Sequence, residues 1–202
     1  MKLNGKSRIS NPNKYLYWRT KMRVLNIYSS NTGNTEKVAK KISEAVEMLN
    51  FEVDTIKIRE DIPDINLLEY DFIFAGSGVY ACMPAKSMTQ FLEILGKRGM
   101  KNGDIKPCSP RIPSKYAIIY CTYGGVHTGV NEAIPCVKNI GQLFDHYGFE
   151  ILDEWYLVGA FNPSNMQDHN LVGRFGDITG RPNEADLNEV FEKTKGFLNS
   201  IG

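Results

Sequence analysis

The stretch "VLNIYSSNTGNTEKVAKKISEAV", residues 24–46, sets three patterns in direct succession. An apolar run through Tyr28 reads as a buried strand. Small hydroxylated and amide residues then gather around Gly33. Val38, Ile42 and Val46 follow at spacings of four, which places them along one helical stripe. A strand that passes through such a turn straight into a helix aims consecutive backbone N–H groups at one point, and the helix N-terminus adds its partial positive charge. Ser30, Thr32 and Thr35 can add hydroxyl donors, and Gly33 allows a backbone shape and a close approach that a Cβ would obstruct. This suits a phosphate monoester held without Lys or Arg. The G-x-x-x-x-G-K-[S/T] loop of nucleoside triphosphate sites is absent. One hydroxyl would suffice to cap the helix; three around a glycine point to a phosphate site.

Outward from this stretch, strand and helix patterns alternate. "FEVDTIKI", "DFIFAGS", "KYAIIYC" and "EILDEWYLVG" read as four further strands. "DINLLEY" reads as a short helical turn. A helix is expected from Pro84 with Met88, Phe91, Leu92 and Leu95 on one face, another over 131–147 ending at Gly148, and a last one from Glu184. Five strands alternating with helices predict an α/β fold, a doubly wound parallel sheet covered on both faces. Ligands of such sheets bind beyond the carboxyl ends of the strands where strand order reverses, so the loops after strands one, three and four are the place to seek chemistry. Two connections, 96–115 and 159–183, are long.

The 202 residues fit one domain, and no apolar run approaches the roughly 18–20 residues of a membrane span. Six of the 24 basic residues and no acidic ones fall in 1–21, which leaves 18 basic against 23 acidic residues beyond them, a net of −5. Residues 1–21 are expected to be a flexible basic extension and 22–202 the folded domain, with Met22 itself a natural start. Nucleic acid is not an expected partner of that acidic body. Four cysteines, none in a C-x-x-C pair, suit a reducing, cytoplasmic setting and offer no metal site. No Cys-x5-Arg loop, G-x-S-x-G elbow or metal-spaced histidines occur.

The segment Ser30-Asn31-Thr32-Gly33-Asn34-Thr35 resembles the [S/T]-x-T-G-x-T phosphate loop of flavodoxins, on strand one of the matching five-strand rhythm. The resemblance covers residues 22 to about 158 and the final helix. It implies the flavodoxin-like fold, strand order 2-1-3-4-5, with FMN bound noncovalently and its 5′-phosphate in this loop. It further implies that Ser77, Gly78, Val79 and Tyr80 after strand three, and Thr122, Tyr123, Gly124 and Gly125 after strand four, flank the flavin ring. Gly76, Gly78 and Ala81 also spell G-x-G-x-x-A, but they follow the third strand rather than the first and do not open a helix, which argues against a dinucleotide fingerprint.

Aligned with one-electron flavodoxins, Ala81 stands where many of them place a flipping glycine, and Gly125 where several place a covering aromatic. An uncovered ring face suits hydride transfer from NAD(P)H, and "VYACMPAKSMTQFLE" resembles the corresponding segment of flavodoxin-like quinone and FMN reductases. The expected activity is that of an oxidoreductase passing electrons from FMN to a quinone, another flavin or a small organic acceptor. The alternative is a one-electron carrier that docks on a redox partner protein. His127, alone near this face, is a candidate proton donor. Segment 159–183, with Phe161, Asn162, Arg174 and Phe175, is expected to shield the flavin or to form a subunit contact in a homodimer or tetramer. Arg174 or Arg181 is the candidate for contacting a 2′-phosphate.

Overall fold

The computed structural model describes residues 22–201, so the basic segment 1–21 and its reading as an extension lie outside them. The sheet is built from β1 (Arg23–Ser29), β2 (Glu52–Lys57), β3 (Phe72–Tyr80), β4 (Met83–Pro84), β5 (Tyr116–Tyr123) and β6 (Glu150–Val158). The helices are α1 (Asn34–Met48), α2 (Lys86–Asn102), α3 (Ile134–His146), the short α4 (His169–Val172) and α5 (Glu184–Ile201). The five long strands pair in parallel in the order β2-β1-β3-β5-β6, which is the expected 2-1-3-4-5 arrangement. "DINLLEY" forms its turn as a 3₁₀ segment, Leu67–Glu69.

The sequence reading is departed from at three places: α2 runs to Asn102, which shortens the connection expected at 96–115, β3 continues past Ser77 to Tyr80, and a short strand follows it. Met83 and Pro84 form a two-residue strand antiparallel to the end of β3, with Tyr80 opposite Met83 and Val79 opposite Pro84. Pro84 is therefore in the sheet, and α2 begins two residues later at Lys86. Gly76 and Gly78 lie within β3 itself, so no helix opens on either, as expected.

Alternation along the strands sorts the core onto two faces. Leu25 and Ile27 of β1 and Ile73 and Ala75 of β3 pack with Phe91 of α2 and Phe144 of α3. On the other face Val24, Phe72, Phe74 and Tyr120 pack with Val38 and Ile42 of α1 and Leu198 of α5. Phe91 and Phe144 are fully buried, so truncating either to Ala would cost about 3–5 kcal/mol. Asn26 interrupts the apolar run of β1 and is also fully buried. Its side-chain amide donates to the Ala39 carbonyl (2.7 Å) and the Ser43 hydroxyl (2.8 Å), and its Oδ1 accepts from the Tyr120 hydroxyl (3.0 Å). A buried amide with every partner present is not a defect. It bolts α1 to β1 and β5, and so fixes where the turn between β1 and α1 stands.

Candidate functional site: three loops at the carboxyl edge of the sheet

Residues 30–35 pass from β1 into α1. The Ser30 hydroxyl oxygen accepts from the backbone N–H of Gly33 and of Glu36, both at 3.2 Å. Gly33 takes the left-handed conformation (φ 95°, ψ −17°) at the N-cap of α1 and makes no side-chain cap. The direction its Cβ would take is open for 4 Å. The result is a helix N-terminus that is open on the Gly33 side, with Asn31 and Thr32 exposed beside it. That is a cradle of amides and hydroxyls fit for an anion.

Not all the expected donors face that cradle. Thr35 and Thr122 are buried and share a hydrogen bond between hydroxyls at 2.7 Å, which ties the first loop to the end of β5. Asn34 is also turned inward, its amide donating to the Ala160 carbonyl at 2.7 Å. Ser30 serves the turn as an acceptor. The outward-facing part of the site therefore narrows to the backbone of the turn with Asn31 and Thr32.

Near the end of β3, Ser77 is fully buried and shapes the turn that follows: its hydroxyl donates to the Gly78 carbonyl (2.8 Å) and accepts from the Ala85 N–H (2.9 Å). Ala81 (φ 47°) and Cys82 (φ 64°) both sit in the left-handed region and make the two-residue turn between β3 and β4. Two positive φ values are what such a hairpin needs, though Asn-Gly is the usual pair. The Tyr80 ring folds back until its edge is 3.0 Å from where a Cβ on Gly78 would stand. Burial raises its phenol above the ordinary 10, against which hydrogen bonds from Asn31 and Thr32 pull it down. Tyr80 thus spans from the second loop to the first.

After β5, Gly124 and Gly125 are where the long segment 159–183 lands. A Cβ on Gly124 would meet the Phe161 ring at 2.2 Å, and one on Gly125 would meet the Phe175 ring at 2.6 Å. Phe175 also packs edge-on against Tyr123, ring centroids 5.8 Å apart. This corrects the expectation of a bare face at Gly125, because an aromatic ring comes from a segment some fifty residues later in the chain. Burial lifts the Tyr123 phenol to about 12. The His127 side chain is exposed, and its backbone N–H, with that of Thr128, is held by Glu132 Oε1 at 2.7 and 2.6 Å. This contact orders the loop through its backbone and leaves the imidazole free at the surface.

Sequence reasoning missed how firmly segment 159–183 is fastened. Asn162 donates its amide to the Thr32 carbonyl at 2.6 Å. Asn170 is buried, accepts from the Phe161 N–H (2.7 Å) and donates to the Phe161 carbonyl (3.0 Å), and Gln167 adds a bond to the same carbonyl. Side-chain amides replace the regular ladder there, and no period in the sequence announces them. Arg181 is engaged by Asp186 through its guanidinium, which removes it as a free contact for a 2′-phosphate. Among the described residues no group of His, Cys, Asp or Glu is placed to hold a metal ion. Cys121 and Cys136 are buried and their thiols are pushed up by that burial, Cys136 to about 12, so neither is a reactive thiolate.

A five-stranded parallel sheet in this order defines a flavodoxin-like fold. Residues 25–102 match the family model described as a flavodoxin domain. The chain is 28% identical over 184 residues to an uncharacterized protein of Methanocaldococcus jannaschii, covering 88% of this chain and 99% of that one. Its fold is similar to oxidised flavodoxin 1 from Bacillus cereus (TM-score 0.60, 16% identity, 88% of this chain and 97% of the other). It is similar also to a flavone reductase (TM-score 0.59, 10% identity, 89% of this chain and 63% of the other). A flavodoxin and a flavone reductase thus share this fold.

Proposed function

We propose that the chain is an FMN-dependent oxidoreductase that takes electrons from NAD(P)H and passes them to a quinone, another flavin or a small organic acceptor. The observation that carries the flavin is the lysine-free cradle at the N-terminus of α1. Gly33 leaves it open, Ser30 braces it, and Asn31 and Thr32 stand at its rim. These residues fit a phosphate ester and would hold the FMN 5′-phosphate. The loops at 77–80 and 122–125 would flank its ring, and the bound ring would supply the hydride-accepting chemistry. The protein's part is to orient that ring and keep water from it; Tyr80, Phe161 and Phe175 are placed on the loops that would do so.

Turnover, rather than carriage alone, is favoured by what surrounds the site. Tyr80 and Met83 after β3, Val130 and Ile134 after β5, and Leu171, Val172 and Phe175 of the late segment are the exposed large apolar side chains at this edge. An apolar rim suits an organic acceptor, whereas a dedicated carrier would be expected to present a strongly charged one. The second reading, a flavodoxin-type carrier docking on a redox partner protein, is favoured by Phe175 lying on Gly125, since a covered ring face hinders stacking by a nicotinamide. Anaerobic addition of NADH and NADPH to the FMN-loaded protein separates the two. Rapid loss of the oxidised flavin colour, reoxidised by added quinone, is the expected result. No loss of colour with either nucleotide would overturn the oxidoreductase reading and leave the carrier.

A further inference from the structure

We propose that Asn162, clasped with Asn34, holds the peptide between Thr32 and Gly33 in its anion-binding orientation, and so couples phosphate binding to the seating of segment 159–183 on the third loop. The proposal rests on the phosphate reading above and adds to it a positioning residue from the far end of the chain.

The donors of the turn can be accounted for one by one. The N–H of Glu36 goes to the Ser30 hydroxyl and that of Lys37 to the Gly33 carbonyl. The N–H groups of Asn34 and Thr35, the first of α1, meet no acceptor among the described residues. They are the donors left for an anion. The Thr32–Gly33 peptide stands directly before them. Gly33 alone does not fix it, because a residue without a Cβ takes φ above or below zero with similar ease. Turned over, this peptide would lose its brace on Ser30 and bring the Thr32 carbonyl oxygen to the donor side, against an anion.

The peptide is gripped at both ends. Its N–H is donated to Ser30 (3.2 Å), and its carbonyl accepts from the Asn162 amide at 2.6 Å. Ser30 is local, whereas Asn162 is 130 residues away from Thr32, so the second grip exists only while segment 159–183 is seated. Asn34 completes the clasp: its amide donates to the Ala160 carbonyl at 2.7 Å, and its Oδ1 accepts from Asn162 at 3.3 Å. Gly159 makes room for this, since a Cβ there would stand 2.9 Å from the Asn34 amide nitrogen. Phe161, between the two clasp contacts, is the residue that lies on Gly124. Residues 160–162 thus touch the phosphate turn and the third loop at once. Phe161 also has its own fastening, from Asn170 and Gln167, so loss of the Asn162 amide frees the peptide and leaves Phe161 held. Such coupling is reciprocal: whatever factor the clasp adds to phosphate affinity, bound phosphate adds to the clasp.

The test titrates FMN and riboflavin into the flavin-free full-length chain and into Asn162→Ala, a truncation at an exposed position that leaves the core as it is. Loss of one hydrogen bond predicts FMN affinity lower by about three- to tenfold in the variant, read by flavin-fluorescence quenching, with riboflavin within about twofold of wild type. Asn162→Asp keeps the size but cannot donate from its carboxylate, and should lose at least as much FMN affinity. Limited proteolysis at saturating ligand reads the coupling from the other side. FMN should slow cleavage within 159–183 about three- to tenfold more than riboflavin does in the wild type, and within about twofold of riboflavin in Asn162→Ala. If Asn162 only holds the segment down, FMN and riboflavin weaken by the same factor, and that result overturns the proposal. Unchanged FMN affinity in Asn162→Ala, or equal protection by the two flavins in the wild type, also overturns it and leaves the phosphate turn intact. Equal wild-type affinity for FMN and riboflavin overturns the reading of the turn itself, and the proposal with it.

Discussion

Thr35→Val and Thr122→Val, made singly and together, examine the contact that joins the first and third loops. The two hydroxyls are 2.7 Å apart, with Thr35 1% and Thr122 5% exposed, so water is not at hand to replace a lost partner. Valine keeps the shape and removes only the hydroxyl. Each single substitution leaves the other hydroxyl buried and unpaired, a penalty of about 1–3 kcal/mol. The double substitution removes both polar groups and leaves two packed methyls, a change that is near neutral for buried pairs. Singles of about 1–2 kcal/mol each with a double below about 1 kcal/mol give a coupling of at least about 1 kcal/mol, well outside the ~0.5 kcal/mol scatter of additive sites. Urea unfolding of the four proteins at one pH measures this directly, provided the slope with denaturant is unchanged. Additive losses would refute the reasoning, since they would mean that each hydroxyl finds another partner and that the loops are not joined here.

Other expectations follow from the same geometry. Replacing Ala81 by Asn and Cys82 by Gly supplies the pair that a turn with two positive φ values prefers; it should raise the urea midpoint by an amount equivalent to about 1 kcal/mol, and a fall would show that the native pair is held by contacts the turn geometry does not capture. Glu36 is kept below its ordinary 4.5 chiefly by the hydrogen bond from Lys57. A depressed carboxylate stabilises the fold above its unfolded pKa, and that contribution disappears as pH falls through the depressed value, so Lys57→Met should flatten the acid limb of a stability profile while the neutral limb keeps its shape. Gly124→Ala drives a methyl into the Phe161 ring, 2.2 Å away; an overpacking loss of about 1–3 kcal/mol and faster proteolysis within 159–183 are expected, and an unchanged cleavage rate would show that Phe161 is not what holds that segment down.

How much of this was legible in the sequence depended on what kind of force places each residue. β1 and β3 are buried on both faces, so continuous apolar runs betrayed them, and Val38, Ile42 and Val46 disclosed α1 because a helix against a sheet must repeat its apolar face. The turn between them was readable because it combines a glycine with a known positive-φ need and hydroxyls of known reach. β4 was not, since two residues carry no period and their pairing with Val79 and Tyr80 is a tertiary event. Nor was the inward rotation of Asn34 and Thr35, whose partners Ala160 and Thr122 are 126 and 87 residues away. Segment 159–183 was recognisable as special by its length and its aromatics. The landing of Phe161 on Gly124 was hidden, because the segment there is fixed by amide-to-carbonyl bonds from Asn162, Gln167 and Asn170 that leave no repeating signature, and beside Phe175 the Arg174 N–H reaches the distant Val126 carbonyl.

The central claim is that the turn at 30–35 grips a phosphate, and comparing FMN with riboflavin tests it most directly, because the two ligands share the ring and differ only in that group. Titration of the flavin-free protein with each, followed by fluorescence quenching, should show FMN bound at least about 100-fold more tightly, about 2.7 kcal/mol. Equal affinities for the two would contradict the account, whatever the protein then proved to do with the ring.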